Sequence, residues 1–233
     1  LFPYTTLFRS HRAHQAVYTD DAMAAESGDW RILGVSLRSG NVRDQMRQQD
    51  GLYSLVEQSA DGSKVRVIGS VADVIVAAEE RDRLIAALAN PTTHIVSFTI
   101  TEKGYCRAPD GSLDFAQADE RSAYAYLASA MQQRRAAKLS GLTLLSCDNL
   151  AANGAQLAVL MRSYLQRCAP DLVSWFEDQC RCPSTMVDRI VPATTDNDRQ
   201  SIAANLGALD QAAVVTEPFT QWVIEDDFVG SWR

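Results

Sequence analysis

Asn149 and Asp188 are the two side chains of this chain best suited to handling a hydroxy-ketone. Asn149 sits in Ser146-Cys147-Asp148-Asn149-Leu150, followed by Asn153-Gly154, and Asp188 sits in Met186-Val187-Asp188-Arg189-Ile190. Apolar runs lead into both segments, and each segment then presents a polar side chain. The amide of Asn149 can donate to an oxygen that gains negative charge, and the carboxylate of Asp188 can hold a hydroxyl. The residues alone also allow plainer roles. Asn149 can be a turn or cap residue, Asp148 a cap for the helix that follows, and Asp188 an ion-pair partner for Arg189.

Several elements are needed to bring these residues together. The run Ile32-Leu33-Gly34-Val35-Ser36-Leu37 predicts a buried strand, and residues 42–49 a short helix after a polar turn. Residues 52–58 and 64–69 read as two strands joined by the turn signal Ala60-Asp61-Gly62. A helix over residues 79–89 stops at Asn90-Pro91. Residues 94–101 are rich in β-branched side chains and predict a central strand. Helices are predicted over 119–138 and 151–168, with a strand at 142–147 between them. Further strands are predicted at 186–191 and within 217–226. Alternating strands and helices specify a parallel α/β sheet. Ligands of such sheets lie beyond the carboxyl ends of the strands, so Thr101, Glu102 and Lys103 are placed for function.

Composition narrows the classes. The chain has 233 residues, 46% hydrophobic and 22% charged, with a net charge of −7. That balance argues against a generic nucleic-acid or acidic-membrane binder. No apolar run approaches the roughly 20 residues that span a bilayer. The N-terminal residues lack the features of a signal peptide, and a cytoplasmic location is expected. Five cysteines, an odd number, are expected to be reduced thiols. Cys180-Arg181-Cys182 is a lone C-x-C and poor evidence for zinc, so no metal site is expected.

Four motifs together resemble the family of long-chain polyol and hexuronate dehydrogenases, which includes mannitol 2-dehydrogenase and fructuronate reductase. They are His11-Arg12-Ala13-His14, Thr101-Glu102-Lys103-Gly104-Tyr105, Ser146-Cys147-Asp148-Asn149-Leu150 with Asn153-Gly154, and Met186-Val187-Asp188-Arg189-Ile190. The likeness runs from His11 to about Phe228. It implies a Rossmann-like parallel sheet flanked by helices and a small sugar-acid or polyol substrate. The implied cofactor is NAD, with NADP left open because Asn41 stands between Arg38 and Arg43 where an acid is frequent. His11 and Arg12 would open the helix that holds the cofactor pyrophosphate, Asn41 would meet the adenosine ribose, and Thr101 would line the cofactor site. Asn149 would help form an oxyanion hole, Asp188 would contact substrate hydroxyls, and Glu102 would lie on a water path and relay protons. The flanks Lys103-Gly104-Tyr105-Cys106 and Pro183-Ser184-Thr185 lean toward fructuronate reductase, with mannitol 2-dehydrogenase as the alternative. A non-catalytic nucleotide-binding or interaction module is the alternative of another class.

Two departures shape further expectations. The family places G-x-G-x-F before H-R-A-H, whereas residues 1–10 contain no glycine. They read as a foreign flank that has replaced the first strand and phosphate loop, leaving 11–228 as a truncated Rossmann-like domain. Residues 229–233 read as a cut end before a missing C-terminal helical domain. The family's general acid/base is a lysine in K-x-x-x-x-N-x-x-H, and none of Lys64, Lys103 and Lys138 matches it. The chain alone is therefore expected to be nearly inactive.

Overall fold

A strand buried on both faces needs cover on both faces, and five parallel strands meet that requirement at the centre of this chain. The structure, a computed structural model, describes residues 2–5, 9–26, 28 and 30–230. In chain order the elements begin with β1 (Phe2–Thr5), α1 (Arg9–Ala13), α2 (Gln15–Ala25), β2 (Ile32–Ser36) and α3 (Asn41–Arg47). A hairpin of β3 (Tyr53–Ser59) and β4 (Gly62–Ile68) follows, then β5 (Val71–Val76) and α4 (Arg81–Ala89). Next come β6 (Ile95–Phe98), the short turn of helix α5 (Thr101–Gly104), α6 (Ala123–Ala136), β7 (Thr143–Ser146) and α7 (Asn153–Cys168). A 3-10 turn at Pro170–Leu172 leads to α8 (Val173–Gln179), β8 (Thr185–Asp188), α9 (Asp196–Leu206), β9 (Val214–Thr216) and β10 (Gln221–Ile224).

The main sheet has the order β5-β2-β1-β6-β7. All its pairings are parallel. Alternate side chains of β2 go to opposite faces, as the strand period requires. Leu33 and Val35 join the core under α4, α6 and α7 with Leu84, Phe98, Leu127, Met131 and Leu157. Ile32 joins the second core with Ala13, Ala16, Tyr53, Leu55 and Val214. β9 pairs parallel with β3, and α9 covers the far side of that sheet through Ile202 against Val56 and Val215. β8 and β10 form a separate antiparallel ribbon. Under α6 the fully buried Arg134 donates to the carbonyls of Leu88, Asn90, Ser140 and Gly141, tying two helix ends to the start of β7.

Several expectations need correction. The first strand is not missing: Phe2–Thr5 pairs with β2 on one side and β6 on the other, at the centre of the sheet. The physical reason is that β2 and β6 each present a row of buried backbone donors and acceptors, which a central strand must satisfy. The residues that follow, 6–8, lie outside the described residues. The segment expected as a strand at 186–191 ends at Asp188 and belongs to the ribbon, not to the parallel sheet. The strand expected to reach residue 101 ends at Phe98, and Thr101 has a left-handed φ of 60°. The helix expected from 119 starts at Ala123, where the Ser122 side chain accepts from the Ala125 N–H. The helix expected to open at His11 is broken at His14 into α1 and α2, and β5, α8, α9 and β9 were not anticipated.

Candidate active site

β1, β2 and β5 fill one side of the sheet before the chain crosses to β6 and β7 on the other. The strand order reverses between β1 and β6, which marks the crevice position beyond the carboxyl ends where such sheets usually hold a ligand. Two turns line it, one after β6 and one after β7.

Asn153 builds the turn after β7. Its buried Nδ2 donates to the carbonyls of Ser146 (3.1 Å), Asp148 (3.0 Å) and Thr185 (2.9 Å), and its Oδ1 accepts from the Thr185 N–H. Thr185 Oγ1 adds a 2.6 Å bond to the Ser146 carbonyl. One amide thus staples the turn to the start of β8. Gly154 completes the fit, because a Cβ there would lie 2.3 Å from the Cys182 carbonyl oxygen. The turn leaves Asn149 exposed on an open groove of about 360 Å³ shared with Leu150, Thr185, Met186 and Val187.

Asp148 does not cap α7, whose N-cap is the left-handed Ala152 without a side-chain bond. Its carboxylate reaches back to the turn after β6, accepting from the N–H groups of Ile100 (2.9 Å) and Thr101 (3.1 Å) and from the Tyr105 hydroxyl (2.9 Å). Tyr105 Oη also lies 2.6 Å from Ser146 Oγ. Burial raises the Asp148 pKa against the pull of these donors, and burial with the adjacent Asp148 raises that of Tyr105. Thr101 and Lys103 are exposed on α5, which also carries Glu102 in its backbone. The Glu102 side chain lies outside the described residues.

Asp188 is exposed at the end of β8, opposite Gln221. It is not the partner of Arg189. That side chain is buried and pairs with Glu57 at 2.5 Å while donating to the carbonyls of Ala13 (2.7 Å) and Glu217 (3.0 Å). The guanidinium binds three carbonyl and carboxylate oxygens from α1, β3 and the segment before β10. Asp188 is close enough to His14 to favour its protonated form.

The first motif is buried. Burial, then the adjacent Arg12, lowers the His11 pKa to about 3, so the ring is neutral near pH 7. Arg12 donates to the Ala212 carbonyl and stacks over Tyr53, 5.7 Å from the ring centre, while Tyr53 donates to the Arg12 carbonyl. His14 Nε2 lies 2.8 Å from the Gln221 carbonyl, which makes it the donor. The side chains of this motif are therefore turned into the fold. Beyond β2, Asn41 is exposed at the start of α3, Arg38 is exposed, and Arg43 is bound by Asp44 and Glu79.

Desolvation holds three thiols protonated, with the buried Cys147 and the half-buried Cys182 pushed up to about 12 and the buried Cys180 to about 11. Among the described residues no cluster of three or more His, Cys, Asp or Glu is arranged to hold a metal. No helix of the described residues is long and apolar enough to cross a membrane. The residue reading missed Tyr105, Ser146, Asn153 and Arg189. The dipeptide Asn153-Gly154 was visible as part of a motif, but its stapling role needs β8 beside it.

Three comparisons bear on the chain. The family model for the mannitol dehydrogenase Rossmann domain matches residues 9–232. Mannitol 2-dehydrogenase of Pyrenophora tritici-repentis is 41% identical over 234 residues, covering 94% of this chain and 41% of that protein. D-mannonate oxidoreductase of Escherichia coli K12 is 39% identical, covering 94% of this chain and 48% of that protein. The crystal structure of Pseudomonas fluorescens mannitol 2-dehydrogenase with NAD and D-mannitol superposes with a TM-score of 0.89 at 38% identity, over 98% of this chain and 49% of that one. The chain spans about half the length of the relatives it matches, or somewhat less.

Proposed function

The chain belongs to the mannitol dehydrogenase family, and from that premise we propose that it is the cofactor-binding part of an NAD-dependent oxidoreductase of hexuronates or polyols. The observation that carries this reading is the Asn153 staple, which sets Asn149 on an open groove at the carboxyl end of β7. A bound nicotinamide would exchange hydride with a carbonyl or hydroxyl carbon of the substrate. The residues fit such a cofactor: the first N–H groups of α1, around His11 and Arg12, suit its pyrophosphate. Asn41 suits the adenosine ribose, and Thr101, beyond the end of β6, would line the nicotinamide end.

Asn149 then donates to the oxygen that becomes an alkoxide, where a preorganised donor is worth more than in water. Asp188 accepts from neighbouring substrate hydroxyls and fixes which carbon faces the hydride. Glu102 relays protons to the site, the role the resemblance implies for it. NAD is preferred to NADP because Arg43, one of the two cations near Asn41, is already bound by Asp44 and Glu79. Fructuronate reduction is the favoured activity, supported by Pro183-Ser184-Thr185 and Lys103-Gly104-Tyr105-Cys106 and by the D-mannonate oxidoreductase relative. Mannitol oxidation is the second reading, supported by the fungal relative and the ternary complex.

The test is NADH titration followed by turnover with D-fructuronate and D-fructose. The chain binds NADH, yet oxidises it far below roughly 1 s⁻¹, the low end of ordinary enzyme rates. The motivation is that none of Lys64, Lys103 and Lys138 sits in the family's lysine motif. Fast turnover by these 233 residues would refute the inactivity. Absence of NADH binding would remove the cofactor role.

A further inference from the structure

Thr101 occupies a backbone conformation that β-branched residues avoid, and it does so on the exposed rim of the crevice. Such a conformation persists only where its surroundings over-determine it. Here the determinant is one carboxylate. Asp148 Oδ1 accepts from the Thr101 N–H, and Oδ2 accepts from the Ile100 N–H and the Tyr105 hydroxyl. The carboxylate takes all three bonds only as an acceptor, so Tyr105 donates to it and Ser146 Oγ–H donates to Tyr105. Asp148 is fixed from behind as well, since Asn153 Nδ2 holds its carbonyl. A single side chain therefore links the turn bearing Asn149 to the turn bearing Thr101 and Glu102.

We propose that Asp148 is a positioning residue of the cofactor crevice: its carboxylate locks Thr101 in the left-handed conformation and thereby sets the wall for the nicotinamide end of a dinucleotide. This rests on the cofactor reading above. An asparagine in its place keeps the size but has one acceptor oxygen and an NH₂ group that faces other donors. Thr101 then relaxes toward a right-handed conformation, and the wall moves.

The experiment uses the full chain with two probes, NADH and ADP-ribose, which shares everything but the nicotinamide. Asp148→Asn weakens NADH binding about tenfold, the size of one charge-assisted hydrogen bond, and leaves ADP-ribose binding within about twofold. In the Thr101→Gly background the same substitution costs less than about twofold, because glycine adopts a positive φ without a clamp. Tyr105→Phe, which removes one donor and leaves the carboxylate, weakens NADH about threefold on the same scale. Unchanged NADH binding in Asp148→Asn overturns the inference alone. So does equal weakening of both probes, or an undiminished loss in the Thr101→Gly background, since either marks a general structural role. A wild-type chain that binds neither probe ends the cofactor reading itself, and this inference with it.

Discussion

A methyl group at position 154 would meet the backbone of Cys182 and Pro183 at 2.3 to 2.6 Å. Backbone cannot rotate away as a flexible side chain does, so Gly154→Ala must separate α7 from that segment. A loss of about 2 kcal/mol is expected, the usual cost of overpacking, read as a lower urea midpoint. A midpoint within error of wild type would show that the turn has slack. Arg134 makes the opposite case, a buried charge whose hydrogen-bond partners among the described residues are carbonyls. Carbonyls at helix ends carry partial negative charge, so the guanidinium is stabilised without a carboxylate. Arg134→Met keeps the apolar stem and strands those oxygens, at an expected cost of about 3 kcal/mol, again by urea unfolding. A neutral result would mean that water reaches them.

At the scale of elements, α1 and α2 are the acid-sensitive part of the fold. Their buried imidazoles, His11 and His14, both have lowered pKa values, with burial as the first cause in each. Above pH 6.5 folded and unfolded states are alike neutral and no stability is lost. Below it the unfolded chain binds protons that the folded one refuses, down to about pH 3 for His11. Stability therefore falls as pH falls, by about 1.4 kcal/mol per pH unit for each such group. His11→Gln should flatten the urea midpoint between about pH 6.5 and 5, whatever it does to stability at neutral pH. An unchanged slope would assign the acid sensitivity elsewhere. Much of the element order was legible: β2, the β3–β4 hairpin, α4, α6 and α7 follow from apolar periodicity and from turn residues. β5 was hidden because Asp73 interrupts its apolar run; as an edge strand it can keep that carboxylate, bound by Arg47 and Arg83. β1 was hidden because residues 1–10 lack the glycines that would precede His11 and so read as a foreign flank, and Pro3, with no N–H, is itself unusual in a central strand. In the site, Asn149 and Asp188 were legible as chemical groups, and the placing of Asp148 was not. Its partners come from the exit of a neighbouring strand, and no local pattern reports that distance.

At the scale of the whole molecule, the main sheet and the β8–β10 ribbon should differ in stability. Two strands with alternate residues exposed, such as Met186 and Val223, are marginal alone. Arg189 keys this ribbon to α1 and β3. Amide exchange should reach β8 and β10 well before β2, β6 and β7, and Arg189→Met should widen the gap. Equal protection would mean a single cooperative unit. The bonds that fasten the first helices also join distant parts of the chain: Arg12 to Ala212 spans 200 positions and His14 to Gln221 spans 207. A nascent polypeptide leaving the ribosome cannot make them until Gln221 has emerged. These helices are thus secured only about 200 residues after they are made, and slow, non-local closure leaves them open to chaperones and proteases in the interval.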